Sequence, residues 1–196
     1  EDFPLNSVHD VTPQLKTIRV AGTHIPENEL LRLRNSLATI SAIASFFAAH
    51  RGEEGESPYP HLDALAQRIG EFPAILRSID RVIDKLGYVK DSASPELGRI
   101  RSSLASMQGS INAAMRRVIA NAVKEGLIDA DTSPSLRDGR PVIPVSPMHK
   151  RKIPGIVHDE SASGKTYFIE PAEVVEASNR LRELQIEERR EILRIL

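Results

Sequence analysis

The chain has 196 residues, 40% of them hydrophobic and 27% charged, with a formal net charge of −1. That is an ordinary composition for one or two folded domains, and it excludes a protein basic over its whole surface, so any nucleic-acid contact has to be local. Cysteine and tryptophan are absent and aromatic residues make up 4%, which rules out disulfides and thiolate metal sites and leaves Leu, Ile, Val and Ala to fill a mainly helical interior.

No apolar run has the length of a membrane span, and the start Glu1-Asp2-Phe3-Pro4 has neither an initiator Met nor a signal sequence. We therefore expect an internal piece of a longer cytoplasmic protein. Residues 1 to 26 are punctuated by Pro4, Pro13, Gly22 and Pro26 and read as irregular, with Pro26 suited to the first turn of a helix. From Glu27 to Arg51, Leu30, Leu33, Leu37, Ile40, Ile43 or Ala44, and Phe47 recur at threes and fours, which predicts a long amphipathic helix. Gly52 to Pro58 reads as an exposed, mobile loop. A short helix presenting Leu62, Leu65, Ala66 and Ile69 should follow, then one from Pro73 to Leu86 that stops at Gly87.

Ser94-Pro95-Glu96 is a helix entry, with Ser94 as N-cap and Pro95 at the first helical position. Beyond it Leu97, Ile100, Leu104, Met107, Ile111, Ala114 and Val118 alternate steps of three and four, a heptad seam. A helix reaching Glu125 would be about 45 Å long. After Gly126, the pair Asp138-Gly139 between Leu136-Arg137 and Val142 to Val145 predicts a tight hairpin. The apolar, β-branched run Gly155 to His158 and the run Thr166 to Ile169 predict a second, joined by the polar loop 159–165. From Pro171 a helical pattern resumes, with Val174, Ala177, Leu181, Leu184, Ile192 and Ile195 on one side, and it reaches Leu196 without a stop signal. We expect this helix to continue past Leu196, leaving Ile192, Ile195 and Leu196 short of partners.

The expected fold is mainly α: a helical core, long antiparallel lever helices that pack like a coiled coil, and a small β-hairpin element at the tip. The boundaries fall at 1–93 for the core, 94–133 for the outgoing lever helix and its exit, 134–171 for the β element with its basic loop, and 172–196 for the returning helix.

Several chemical readings can be weighed on the residues alone. Asp159 to Thr166, DESASGKT, matches the phosphate-binding loop except at its first Gly, but it leads into a strand pattern where a helix N-terminus is required, so we expect no nucleotide site here. His158, Asp159 and Ser161 hold the residue types of a nucleophilic triad, yet neighbouring strand side chains point to opposite faces and cannot serve one centre without a bulge. His149 and His158 lack metal-ligand spacing, and we expect no metal. Glu170 before Pro171 reads as a residue that orients the helix entry. The run His149-Lys150-Arg151-Lys152 lies between Pro147 and Pro154, which should hold it extended and exposed, and Lys165 stands in the nearby loop. From Pro134 to Thr166 there are six Lys or Arg and three Asp or Glu, a local excess able to neutralise phosphates. A solvated basic face with no partner is the competing reading. Ile156 and Phe168 are expected to hold the hairpin up.

The order Ser92-Ala93-Ser94-Pro95-Glu96-Leu97, Asp138-Gly139-Arg140, Val142-Ile143-Pro144-Val145, Ile153 to Asp159, Ser161-Ala162-Ser163-Gly164 and Phe168-Ile169-Glu170-Pro171 resembles the bacterial MutS-type ATPases of the second, non-mismatch-repair subfamily. The resemblance covers nearly the whole chain, and Pro154, Gly155, His158, Asp159, Ser161, Ser163, Gly164, Phe168, Glu170 and Pro171 carry its most specific motif. It implies a core and lever segment of a dimeric protein that acts on branched DNA or on ribosomal RNA in collided ribosomes. ATP and magnesium, and often a nuclease domain, would belong to other parts of the full-length protein, with no cofactor in this segment. The levers would transmit a nucleotide-driven movement. One departure is Pro141, where the family usually has an aromatic residue; since Pro cannot donate to a ladder, its strand should lie at an edge or start later.

Overall fold

Proline opens three of the helices, because its fixed φ suits the first turn and its missing N–H is one that a helix start leaves unpaired anyway. In the computed structural model, which describes residues 3–5, 7–52 and 55–196, α3 (Pro60–Ala66), α4 (Pro73–Val82) and α5 (Pro95–Lys124) all begin this way. The other elements are α1 (Thr12–Thr17), α2 (Glu27–Ala49), a 3-10 turn (Asp91–Ala93), β1 (Ser135–Arg137), β2 (Arg140–Val145), β3 (Gly155–Glu160), β4 (Tyr167–Pro171) and α6 (Ala172–Ile195). The fold is mainly α with one small antiparallel sheet in the order β1-β2-β4-β3. None of the described helices is long and apolar enough to cross a membrane. Glu1-Asp2, Asn6 and, in the loop expected between Gly52 and Pro58, Glu53 and Glu54 lie outside the described residues. Two compact units divide the chain: Glu1–Gly98 with Glu191–Leu196, and Arg99–Arg190.

In the first unit Ile25, Leu33, Ile79, Ile83, Val89 and Leu97 form a buried cluster. Ile192, Ile195 and Leu196 pack against it as partly buried residues. The stretch before α2 is more ordered than its punctuation suggests. It contains α1, and it is bonded along α2 through two buried hydroxyls: Ser36 Oγ accepts from His9 N at 2.9 Å, and Thr39 Oγ1 donates to Ser7 O at 3.1 Å. Buried small polar residues on an apolar face have to find partners, and here they fix that segment.

Two helix readings need correction. α4 ends at Val82, not Leu86, because Ile83 leaves the helix to bridge Val89, while Asp84 Oδ1 accepts from Leu86 N at 2.8 Å and Tyr88 N at 3.0 Å and Gly87 takes a φ of 90°. The side-chain carboxylate and the glycine build a turn that competes with the next helical turn. In α3 the apolar positions Leu62 and Leu65 are exposed and Asp63 is buried instead. Asp63 receives Arg51 Nη2 at 2.9 Å and Gln67 Nε2 at 2.8 Å, and that network sets the orientation of a helix only seven residues long. Arg51 and then Gln67 hold the Asp63 carboxyl below its ordinary range.

Ser94 caps α5 as its sequence position implies: its Oγ accepts from Leu97 N at 3.0 Å. The same hydroxyl donates to Glu191 Oε1 at 2.5 Å. Arg194 grips both oxygens of Glu191, at 2.6 and 2.7 Å. The Arg194 guanidinium, and after it the Ser94 hydroxyl, lower the Glu191 carboxyl from an ordinary 4.5 to about 2.

In the second unit the heptad positions Ile111, Ala114 and Val118 of α5 are buried with Met115, Ala122 and Leu127, and they share one cluster with Val174 of α6 and with Ile143, Val145, Ile153 and Ile169. α5 stops where its sequence stops it. Gly126, at a φ of 68°, donates to Val123 O at 3.0 Å, and Leu127 N reaches back to Ala122 O at 2.8 Å. This is the paired-carbonyl helix end that glycine permits, with Leu127 and Ala122 supplying its apolar contact.

Candidate nucleic-acid interface

The β module is built on two turns. Asp138 and Gly139 both have positive φ, 49° and 76°, the primed geometry that matches strand twist, and the Arg137↔Arg140 pair closes it. The expectation that Pro141 keeps its strand at an edge, or delays it, is not met: β2 begins at Arg140 and runs between β1 and β4. The register explains why two prolines are tolerated there. Backbone groups alternate sides along a strand, so with Arg140 facing β1, Pro141 faces β4 and Pro144 faces β1. The β4 ladder starts only at Ile143 and the β1 ladder ends at Val142. Each missing N–H therefore falls beyond the end of the ladder on its side.

The basic run is not extended. Ser146 O accepts from His149 N at 3.0 Å and His149 O from Lys152 N at 2.9 Å, so Pro147 opens a pair of turns in place of a straight segment. This turning sorts the cations. His149 is half-buried, with Nδ1 2.9 Å from Leu127 O, which fixes the proton on that nitrogen because a carbonyl only accepts. Lys150 lays its ammonium 3.9 Å from the Tyr167 ring centre. Arg151, Lys152 and Lys165 are exposed. Among the described residues none of Lys150, Arg151, Lys152 and Lys165 forms a salt bridge. By contrast Arg137 pairs with Asp159 and Arg140 with Glu170.

The loop between β3 and β4 is closed by three of its own amides. Ser161 N donates to Thr166 O at 2.8 Å, Gly164 N to Ser161 O at 2.8 Å, and Thr166 N to Ser161 Oγ at 3.0 Å, while Ser163 Oγ lies 3.5 Å from Ser161 Oγ. Gly164 takes a φ of 68° to close it. A phosphate cradle needs such amides free and a helix to follow; here Tyr167–Pro171 is a strand.

β3 carries a bulge. The register against β4 shifts between Val157 and Asp159, leaving His158 as the extra residue. This is the irregularity that a triad of His158 and Asp159 would require, yet the two side chains go to separate partners. His158 Nε2 donates to Glu170 Oε2 at 2.6 Å and Arg137 Nε donates to Asp159 Oδ2 at 3.2 Å. Glu170 is fully buried and its other oxygen meets Arg140 Nη1 at 3.4 Å. So the buried Glu170 is the centre of an Arg140–Glu170–His158 chain whose two bases are half-buried. Its neighbours follow from the same packing. Gly155 stands where a Cβ would collide with the Glu170 carbonyl oxygen, Pro154 O accepts from Ala172 N at 2.9 Å at the start of α6, and Pro171 is buried at the strand end. Ile156, expected to hold the hairpin up, is 46% exposed; Ile143, Val145 and Ile169 do that work at 1% exposure or less.

The sequence reading did not single out Arg137 or Arg140 as site residues, nor the Ser94–Glu191 contact. The arginines had a signal: in a two-residue hairpin they flank the turn, and the register from Pro154 to Pro171 places their acids. Ser94 and Glu191 are 97 positions apart, and no local pattern joins them.

The chain is 35% identical over 193 residues to an endonuclease MutS2 of Geobacillus sp. (strain WCH70), 34% over 195 residues to one of Alkaliphilus oremlandii, and 37% over 187 residues to one of Pelotomaculum thermopropionicum. These alignments cover 98%, 100% and 95% of this chain. Over nearly its whole length the chain is similar to these MutS2 proteins. The chain spans about a quarter of the length of these curated relatives, 24%, 24% and 23%. No family model matches it.

Proposed function

We propose that this chain is the core and lever region of a MutS-type, DNA-binding ATPase that acts on branched or mismatched DNA in suppression of recombination and repair, and on collided ribosomes. In this reading ATP, magnesium and any nuclease site belong to the remainder of a longer, cytoplasmic, homodimeric protein. α5 and α6 act as the paired, coiled-coil-like levers that carry its movement. The β module from Ser135 to Pro171 meets the phosphates of branched DNA or ribosomal RNA.

The observation that carries the reading is the set of exposed cations Arg151, Lys152 and Lys165, unpaired among the described residues, on a module whose other two arginines are neutralised by acids. Exposed unpaired cations cost little to fold and are free to release counterions on binding phosphate. The names of the relatives support a nucleic-acid substrate. Titration of a fluorescent four-way DNA junction and of a structured RNA with the 196-residue chain tests it. Saturable binding that weakens with salt is expected.

A purely structural reading, in which the segment is a scaffold for the ATPase dimer and touches no nucleic acid, is favoured by one fact. His149 and Lys150, half of the basic run, are committed to Leu127 and Tyr167. Absence of binding to either probe would select it.

A further inference from the structure

Tyr167 and Phe168 are neighbours on β4 and point to opposite faces of the sheet. The Tyr167 face is the core face, since Ile143, Val145 and Ile169, which share its parity, are buried in the second unit's cluster. The opposite face holds Phe168 with Arg137, Asp159, His158 and Ile156 beside it. Phe168 and Ile156 are not buried there. A half-buried aromatic ring and an exposed aliphatic side chain, next to a planar cation at the edge of a face whose Val142 and Glu170 are buried, have the composition of a base-stacking surface.

Arg137 is fixed on that face in three ways. Its guanidinium carbon lies 3.9 Å from the Phe168 ring centre, Nε donates to Asp159 Oδ2 at 3.2 Å, and Nη1 donates to Leu136 O at 3.1 Å. The side chain remains 36% exposed. A guanidinium seated over a ring can still offer its outer face to a second planar group. Its charge, however, is already offset by Asp159. A phosphate therefore gains less from Arg137 than from Arg151, Lys152 or Lys165, whereas a group that stacks loses nothing to the carboxylate.

We propose that Arg137, held over Phe168, is a stacking platform for an unpaired nucleobase of a single-stranded nucleic acid. The strand's phosphate would meet Lys165, in the loop that leads into β4. The site rests on the nucleic-acid reading above and narrows it. A base inside a duplex has both faces covered by its neighbours, so only an unpaired one can reach the guanidinium. The platform thus selects flaps, gaps, loops and junction centres over continuous duplex. Lys165 is three positions before Phe168, whereas Lys150 rests on Tyr167, on the other face of the sheet.

The test measures fluorescence anisotropy of the 196-residue chain with a short single strand, as DNA and as RNA, and with the matching duplex. Arg137→Lys keeps the charge and loses the plane; Arg137→Gln keeps a planar head and loses the charge. We expect Arg137→Lys to weaken single-strand binding by about fivefold or more, the lower range of one lost stack, with duplex affinity and salt dependence unchanged. Arg137→Gln should weaken it less. Both variants should melt close to the parent chain. A loss seen only with RNA, or only with DNA, assigns the strand's source. Equal single-strand affinity of Arg137→Lys and the parent, or a parallel loss on duplex, would overturn the platform while leaving phosphate binding intact. If the parent chain binds none of the probes, both readings fall.

Discussion

His158 reaches Glu170 because β3 bulges: the extra residue turns the imidazole onto a carboxyl that has no solvent exposure, 2.6 Å away. The contact closes a chain from Arg140 through Glu170 to His158 that ties both hairpins of the module together. Removing one end strands a buried acceptor, which costs about 1–3 kcal/mol. His158→Ala should lower stability by that amount in urea unfolding. Phe168→Leu, which removes a ring and keeps the network, should cost less.

Gly155 is a packing requirement and not a flexible joint. A methyl there would meet the Glu170 carbonyl oxygen and the Ile169 Cγ2, so β3 must move away from β4. Gly155→Ala should destabilise by about 1–3 kcal/mol, as overpacking does. Hydrogen exchange should speed up at Val157 and Ile169 while α2 is unaffected. Normal protection across β3 and β4 would show that the strand pair gives way without cost.

Glu191 makes the first unit acid-sensitive in a defined window. Its carboxyl is held at about 2 in the fold against an ordinary 4.5, so its contribution to stability is complete above the higher value and is lost as pH falls through the lower one. Glu191→Gln should destabilise most near neutral pH, with the difference from the parent shrinking as the pH drops from about 4.5 to about 2. Asp63 and Asp80, lowered chiefly by Arg51 and Arg34, leave the variant with a residual acid limb. A difference that is constant with pH would mean that Arg194 and Ser94 do not hold the ionised form.

Most of the fold was legible where local rules act alone. Ser94-Pro95, the heptad seam of α5, Gly126 and the Asp138-Gly139 turn each specify their own geometry, and each appears as read. What was misread depends on which partners the side chains find. Leu62 and Leu65 form an apolar face that Asp63 overrides through Arg51. Leu86 continues a helical period that Asp84 and Gly87 interrupt. In the candidate site, the residue types were visible but their pairing was not. His158 and Asp159 are adjacent in sequence and serve different acids and bases because of one bulge, and the turns from Ser146 to Lys152 divide a basic run into committed and free cations.

The central claim is that Arg151, Lys152 and Lys165 meet phosphates, and the salt dependence of binding measures it directly. Each phosphate contact on double-stranded DNA releases roughly 0.9 of a counterion, so replacing all three by Ala should lower the slope of log affinity against log salt by about 3. The melting temperature should hardly change, since exposed, unpaired charges contribute little to folding. A slope that stays the same in the triple variant, with the fold intact, would contradict the account and leave the module as scaffold.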